Sequence, residues 1–177
     1  CPFHYFGVSD ITVDGECIDN KTSIKNLTLE QRIDHIIEKS RYYGYSGEKL
    51  HGLMFVSRVE EANILAEKFN ERGIKSIALT GEHGDNTREN AIEKLENGEI
   101  EYIITVDIFN EGIDIPCVNQ VILLRPTESS IVYIQQLGRG LRKNKNKEFV
   151  VVLDFIGNYE KNFLIPTAIS QNNSFDK

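Results

Sequence analysis

Residues 135–142 read Gln-Gln-Leu-Gly-Arg-Gly-Leu-Arg and carry the most distinctive chemistry in the chain. Arg139 and Arg142 are three residues apart, so one helical turn can direct both guanidinium groups the same way. A guanidinium binds two phosphate oxygens at once and keeps its charge throughout the physiological pH range. The pattern therefore predicts a pair of phosphate-binding arginines. The alternative is a solvated basic turn that continues into the lysines of residues 143–147.

A second segment, residues 105–116, reads Thr-Val-Asp-Ile-Phe-Asn-Glu-Gly-Ile-Asp-Ile-Pro and follows an apolar run. Gly112 permits a positive φ or the close approach of a ligand to the backbone. The Asp114 carboxylate can accept hydrogen bonds from sugar hydroxyls or pair with an arginine. Taken alone, this segment is equally well explained as an ordinary turn after a strand.

Short apolar runs alternate with helical segments from Leu53 onward, and these elements must position the two motifs. The runs are residues 53–56, 76–79, 102–106, 120–124 and 149–153. Continuous β-branched runs are typical of parallel strands covered on both faces, and their alternation with helices is typical of βαβ units. We therefore expect an α/β fold with a mainly parallel sheet of about five to six strands flanked by helices. In such a sheet the site lies at the carboxyl ends of the strands.

The helical segments are bounded by recognisable start and stop signals. Thr28 is the expected N-cap of a helix over residues 27–43, and a capping box formed by Ser57 and Glu60 is expected to open a second helix. Gly73 and Gly98 are expected to end the second and third helices. The third helix is predicted over residues 86–97 and a fourth over about 127–137, while residues 1–26 are expected to supply a peripheral strand or hairpin.

Composition restricts the function classes. The chain has 177 residues, a net charge of −7 and three scattered cysteines. The acidic balance argues against non-specific coating of nucleic acid, so any contact with a polyanion must come from a local patch. The cysteines have no metal-ligand or disulfide spacing, which favours a reducing cytoplasm. No run of about 18 apolar residues occurs, which excludes a spanning helix.

Several catalytic motifs are missing from the sequence. The patterns GxxxxGK[ST], GxGxxG, HExxH and GxSxG do not occur, and the histidines have no paired ligand spacing. The chain by itself therefore cannot cradle a triphosphate or hold Mg²⁺ in the manner of a P-loop, and we assign it no metal site. The first residues lack an initiator methionine and a signal-peptide pattern, so we expect a piece of a longer chain.

Taken together, the two arginine- and glycine-bearing segments resemble the C-terminal RecA-like half of superfamily 2 helicases. Residues 52–58 look like motif IV, and residues 79–81 with the helix of Arg88 look like motif IVa. Residues 105–116 look like motif V, and residues 135–142 look like motif VI. Four motifs in the family's order make the resemblance specific.

The form of motif VI bears on the subfamily. Together with Arg-Pro-Thr at residues 125–127, it is closer to bacterial DEAD/DEAH-like DNA helicases of the restriction-subunit type than to DEAD-box RNA helicases, whose motif VI usually begins with His-Arg. The resemblance covers about residues 51–157. It implies a three-layer RecA-like domain there and a connector with one helix over residues 1–50 from an absent N-terminal RecA-like domain. Residues 158–177 are expected to be a tail or the start of a further segment.

The resemblance also implies roles for individual residues. Arg142 and Arg139 would act as arginine fingers on the γ-phosphate of ATP, with Gln135 near the nucleotide or the attacking water. The ATP and its Mg²⁺ would be held mainly by the absent domain. Residues implied at the nucleotide are Gly112, Asp114 and Gly138; residues implied along the nucleic-acid backbone are Ser57, Arg58, Thr80, Gly81, Arg88 and Thr105.

The sequence leaves three functions open. The first is the second motor domain of an ATP-dependent helicase or translocase, with DNA as the expected partner, restriction or repair subunits as further candidates, and no ATPase activity on its own. The second is a helicase-like module that binds nucleic acid or protein without ATP hydrolysis. The third, a doubly wound domain for a small nucleotide, is disfavoured because a glycine-rich first βα turn is missing.

Overall fold

The computed structural model describes residues 1–9, 12–13, 16–17, 26–106, 115–124, 138 and 144–155. The strands are β1 (Phe3–Gly7), β2 (Thr12–Val13), β3 (Glu16–Cys17), β4 (Gly52–Phe55), β5 (Ser76–Leu79), β6 (Tyr102–Thr105), β7 (Gln120–Leu123) and β8 (Val150–Asp154). The helices are α1 (Asn26–Tyr43), α2 (Val59–Glu71) and α3 (Asp85–Glu96).

Six strands form one sheet in the order β1-β8-β7-β4-β6-β5. Every neighbouring pair in this sheet is parallel. Because the apolar strands β4, β6, β7 and β8 are buried along their whole length, they carry continuous rather than alternating apolar residues. The predicted parallel α/β fold is confirmed, and each predicted run lies within one residue of an observed strand.

Helices cover both faces of the sheet and give three layers. On one face, Ile33 and Ile36 of α1 and Phe69 of α2 pack in one apolar cluster with strand residues such as Ile104. On the other face, Leu95 of α3 packs with the alternate strand residues in a second cluster. Successive strand side chains point to opposite faces, so both clusters are built from the same strands.

The predicted helix ends are confirmed more closely than the predicted starts. Gly73 and Gly98 follow α2 and α3 and have φ values of +78° and +74°, as expected of glycines that end helices. Helix α1 begins at Asn26, so Thr28 lies inside it and the prediction of Thr28 as its N-cap is wrong. The helix predicted over about 127–137 lies outside the described residues.

The first 50 residues contribute to the same layered unit in the parts that the structure describes. Strand β1 pairs with β8 at one edge of the sheet, and α1 packs in the core. Strands β2 and β3 form a separate two-stranded antiparallel pair, in agreement with the expected peripheral hairpin. Residues 158–177 lie outside the described residues.

Candidate functional site at the carboxyl edge of the sheet

Strands β4, β5 and β6 end side by side at one edge of the sheet. Strand β6 is hydrogen-bonded to both β4 and β5, so the residues that follow these strands are neighbours. The parallel pairing continues past the strand end, where the Val56 N–H donates to the Thr105 carbonyl at 3.0 Å. The predicted residues Ser57, Arg58, Thr80, Gly81 and Thr105 are thereby brought to one edge.

The turn after β4 is held by a buried carboxylate. Arg58 is the N-cap of α2, with extended φ and ψ of −133° and 144°, and its side chain makes no capping hydrogen bond. The predicted capping box is therefore wrong by one residue: Glu61, not Glu60, stands at the third helical position and accepts a hydrogen bond from the Ser57 backbone N–H. Arg32 of α1 donates to the Glu61 carboxylate at 3.3 Å.

Two opposing effects act on Glu61. Burial raises the pKa of its carboxyl group, whereas the Arg32 guanidinium and the Ser57 N–H lower it, and the net shift is upward. The ion pair is well shielded, since the side chains of Arg32 and Glu61 are only 6% and 10% exposed. Arg58 itself is exposed and Ser57 is half-buried, so this turn presents one guanidinium at the edge of the sheet.

The turn after β5 is closed by His83. The His83 N–H donates to the Thr80 carbonyl at 3.1 Å, and the Thr80 N–H donates to the His83 Nδ1 atom at 2.9 Å. The Thr80 hydroxyl lies 3.1 Å from the same ring nitrogen, and Thr80 is buried. Gly81 is exposed, with nothing within 4 Å of the place a side-chain Cβ would take. Of the two predicted residues, Gly81 is accessible to a ligand, whereas Thr80 is buried and stabilises the turn through its hydrogen bonds to His83.

Two buried polar atoms at this edge have no hydrogen-bond partner among the described residues: Arg88 Nε and Thr105 Oγ1. Thr105 is fully buried at the end of β6, on the face of the sheet that α3 covers. Arg88 lies in the first part of α3, with its Nη1 atom 3.7 Å from the exposed Asp85 carboxylate. Buried polar atoms are nearly always hydrogen-bonded, so these two indicate that a ligand or another part of the chain completes this edge.

Sequence reasoning missed a buried carboxylate at the end of β8. Asp154 accepts a hydrogen bond from the Tyr5 hydroxyl at 2.7 Å, across the β1–β8 pair. Burial and the neighbouring Asp154 raise the pKa of Tyr5 far above its usual range. The available signal was a charged residue directly after the apolar run 149–153.

The remaining predicted site residues lie outside the described residues: Gln135, Arg139, Arg142, Gly112 and Asp114. Gly138 is described, and it lies against the ring of Phe3, whose Cε2 atom would be 3.4 Å from a Cβ at that position. This contact puts one residue of the 135–142 segment beside the first residue of β1. In the described ranges, no group of three or more His, Cys, Asp or Glu side chains could hold a metal ion.

A large cavity lies at the opposite, amino edge of the sheet. Its volume is about 890 Å³, and its lining includes Lys49, His51, Cys117 and Lys147. Lys147 is buried, and its Nζ atom donates to the Val118 carbonyl at 2.5 Å. The cavity is formed by the loops that precede the strands, so it is separate from the carboxyl edge. No helix in the described part of the chain is long and apolar enough to cross a membrane.

Comparisons with known proteins agree with this architecture. Residues 32–144 match the model of the helicase conserved C-terminal domain. IRC3 of Saccharomyces cerevisiae, named as an ATP-dependent helicase, is 32% identical over 136 residues, which are 76% of this chain and 20% of IRC3. The RNA helicase SrmB of Haemophilus influenzae is 33% identical over 112 residues, 63% of this chain and 26% of SrmB. The chain thus spans about a fifth to a quarter of these relatives.

Solved structures show the same fold. The yeast DEAD-box splicing factor Prp28 has a TM-score of 0.63 at 16% identity, covering 97% of this chain and 34% of that one. E. coli SrmB, solved bound to the regulator RraA, has a TM-score of 0.58 at 20% identity, covering 97% of this chain and 84% of that one. The layered sheet of this chain is therefore a RecA-like domain.

Proposed function

Since the chain belongs to the helicase conserved C-terminal domain family of superfamily 2, we propose that it is the second motor lobe of an ATP-dependent helicase or translocase. The observation that carries this proposal is the carboxyl edge of the sheet. Strands β4, β5 and β6 end there side by side, and two buried polar atoms lack a partner within the described residues. Ligands of parallel α/β sheets bind at this edge, and we assign the two atoms to such a ligand.

The first ligand of this edge is the backbone of a nucleic acid. Arg58 supplies an exposed charge, and Ser57 and Gly81 supply small, accessible positions at the ends of neighbouring strands. Arg88 and Thr105 supply the two unpartnered atoms, while Thr80 holds the turn that carries Gly81. Contacts of this kind bind phosphate and sugar without reading bases, and they need little net positive charge on the protein.

The second ligand is a nucleotide shared with the other lobe. The turns after β4 and β5 contain no glycine-rich phosphate loop. The hydrogen-bond donors of these two turns can contact one side of a nucleotide or a phosphate of a polymer. They cannot surround a triphosphate. ATP and Mg²⁺ are therefore held by the N-terminal RecA-like lobe of the same parent protein, where Mg²⁺ supplies charge neutralisation for phosphoryl transfer.

This chain's own contribution to the nucleotide comes from its motif residues. Arg139 and Arg142 neutralise negative charge at the phosphates, and Gln135 orients the attacking water. Their position in the order of motifs supports these roles. Residues that line the nucleotide from this side are Gly112, Asp114 and Gly138.

DNA is the proposed polymer, because motif VI lacks the His-Arg start that is usual in DEAD-box RNA helicases. Restriction or repair subunits are the proposed protein partners on the same grounds. The three scattered cysteines, which have no disulfide spacing, support a cytoplasmic location.

The test compares the isolated chain, the N-terminal lobe and the two-lobed parent protein in an ATPase assay with single-stranded DNA, single-stranded RNA or no polymer. We expect turnover only from the two-lobed protein, with greater stimulation by DNA than by RNA. A two-lobed protein that binds polymer but hydrolyses no ATP would support the binding-module alternative. Equal stimulation by both polymers would refute the preference for DNA.

A further inference from the structure

The hydrogen bonds of the turn after β5 fix the tautomer of His83. A backbone N–H can only donate, so the 2.9 Å contact from the Thr80 N–H requires an unprotonated, accepting Nδ1 atom. In the neutral ring the proton must then be on Nε2. The Thr80 hydroxyl lies 3.1 Å from the same Nδ1 atom, whose single lone pair already accepts from the backbone N–H, and it leaves the assignment unchanged.

The Nε2–H donor is left available. The described residues offer no hydrogen-bond partner for Nε2, and the His83 side chain is only half-buried. Gly81 and Gly84 are exposed and lie close to His83 in the chain, and a Cβ at either position would meet nothing within 4 Å. The turn that carries His83 therefore lies at an exposed part of the carboxyl edge, directly before α3.

From this geometry we infer that His83 donates a neutral Nε2–H hydrogen bond to a phosphate oxygen of the bound nucleic acid. The inference rests on the proposed function and adds a contact residue to it. The charges around the turn are mixed. Glu82 and Asp85 are exposed carboxylates beside it, and the Arg88 guanidinium lies 3.7 Å from the Asp85 carboxylate. A neutral donor adds a directional contact there, and it keeps Nδ1 free to accept from Thr80.

Two substitutions separate this contact from a purely structural role. In His83→Asn the amide oxygen takes the place of Nδ1, so the turn can keep its acceptor, but the outer donor is lost. In Arg58→Gln a proposed ionic contact is lost. Binding of labelled oligothymidine by the two-lobed protein is measured by fluorescence anisotropy over a series of salt concentrations.

We expect His83→Asn to weaken binding about 10-fold, the effect of removing a hydrogen bond to a charged group. The slope of log affinity against log salt should not change, because a neutral donor releases no counterion. Arg58→Gln should lower that slope by roughly 0.7, the value for one ionic contact to a single strand. Unchanged affinity in His83→Asn, or a lowered slope, would overturn the inference.

Histidine-selective ¹⁵N NMR of the wild-type protein gives an independent readout that needs no variant to fold. We expect the shift pattern of an Nε2-protonated ring at His83, and slower exchange of its Nε2–H with water once oligothymidine is added. A ring protonated at Nδ1 contradicts the inference, as does an exchange rate that the polymer leaves unchanged. If the wild-type two-lobed protein binds no polymer, the proposed function itself fails. This outcome differs from failure of the inference, in which the protein binds polymer without the His83 contact.

Discussion

A single buried carboxylate connects three parts of the molecule at the residue scale. Glu61 receives the Ser57 N–H from the turn after β4 and the Arg32 guanidinium from α1. Burial raises the pKa of Glu61, so the Arg32 charge is what favours its ionised form. The pair fixes the turn that presents Arg58, and it makes α1 part of the site's support.

Arg32→Met should therefore destabilise the chain by about 3 kcal/mol, because it leaves Glu61 buried without its cation. The double variant Arg32→Met/Glu61→Gln should recover part of this loss, since the uncompensated charge is gone. Urea denaturation gives both free energies of unfolding. Glu71→Gln, in the exposed Lys68–Glu71 pair, is the control and should leave the midpoint unchanged. If Arg32→Met alone is as stable as the wild type, the Arg32–Glu61 ion pair is not needed for stability.

The positions of strands and helices could be predicted from the sequence wherever a single local pattern determined them. The runs that became β4 to β8 are continuous and apolar because helices cover both faces, and few other structures suit such runs. The start of α2 was predicted one residue too early, because serine is a better N-cap residue than arginine when only local sequence is considered. The extended backbone of Arg58 and the interaction of Glu61 with Arg32 moved the helix start by one residue.

The amino edge of the sheet contains a buried cation that couples stability to pH. Burial lowers the pKa of Lys147 from 10.5 to about 8. Between these values the unfolded chain holds a proton that the folded chain lacks, so stability rises with pH. Cys117 acts in the opposite direction as the pH approaches and passes 9, because burial raises the pKa of its thiol from 9.0 to about 12.

Lys147 has the larger effect in the window from pH 8 to pH 9, where Cys117 only begins to oppose it. Wild-type stability should rise across it with a slope that stays below about 1.4 kcal/mol per pH unit, and Lys147→Met should abolish that rise. Urea titrations at several pH values measure the slope. Lys145→Met, which changes an exposed neighbour, should retain it. A rise of equal slope in Lys147→Met would show that another group is responsible.

For the whole molecule, the parallel sheet separates two surfaces. The carboxyl edge holds the strand-end turns, and the amino edge holds the cavity lined by Lys49 and Lys147. The sequence predicted the first surface because each of its turns follows a recognisable apolar run. It did not predict the Tyr5–Asp154 contact, which joins residues 149 positions apart, or the His83–Thr80 contact, because folded geometry alone creates them.

The central claim is that this lobe completes a catalytic pocket whose phosphate-binding wall belongs to its partner lobe. The most direct measurement compares ATP hydrolysis and ATP binding by the two-lobed protein and its Arg142→Ala variant, with Lys145→Ala as the matched control. We predict that turnover falls by about 10³-fold or more in Arg142→Ala while ATP binding is largely kept, because the arginine acts on charge that develops during phosphoryl transfer. Turnover in Arg142→Ala equal to that of Lys145→Ala would contradict the claim.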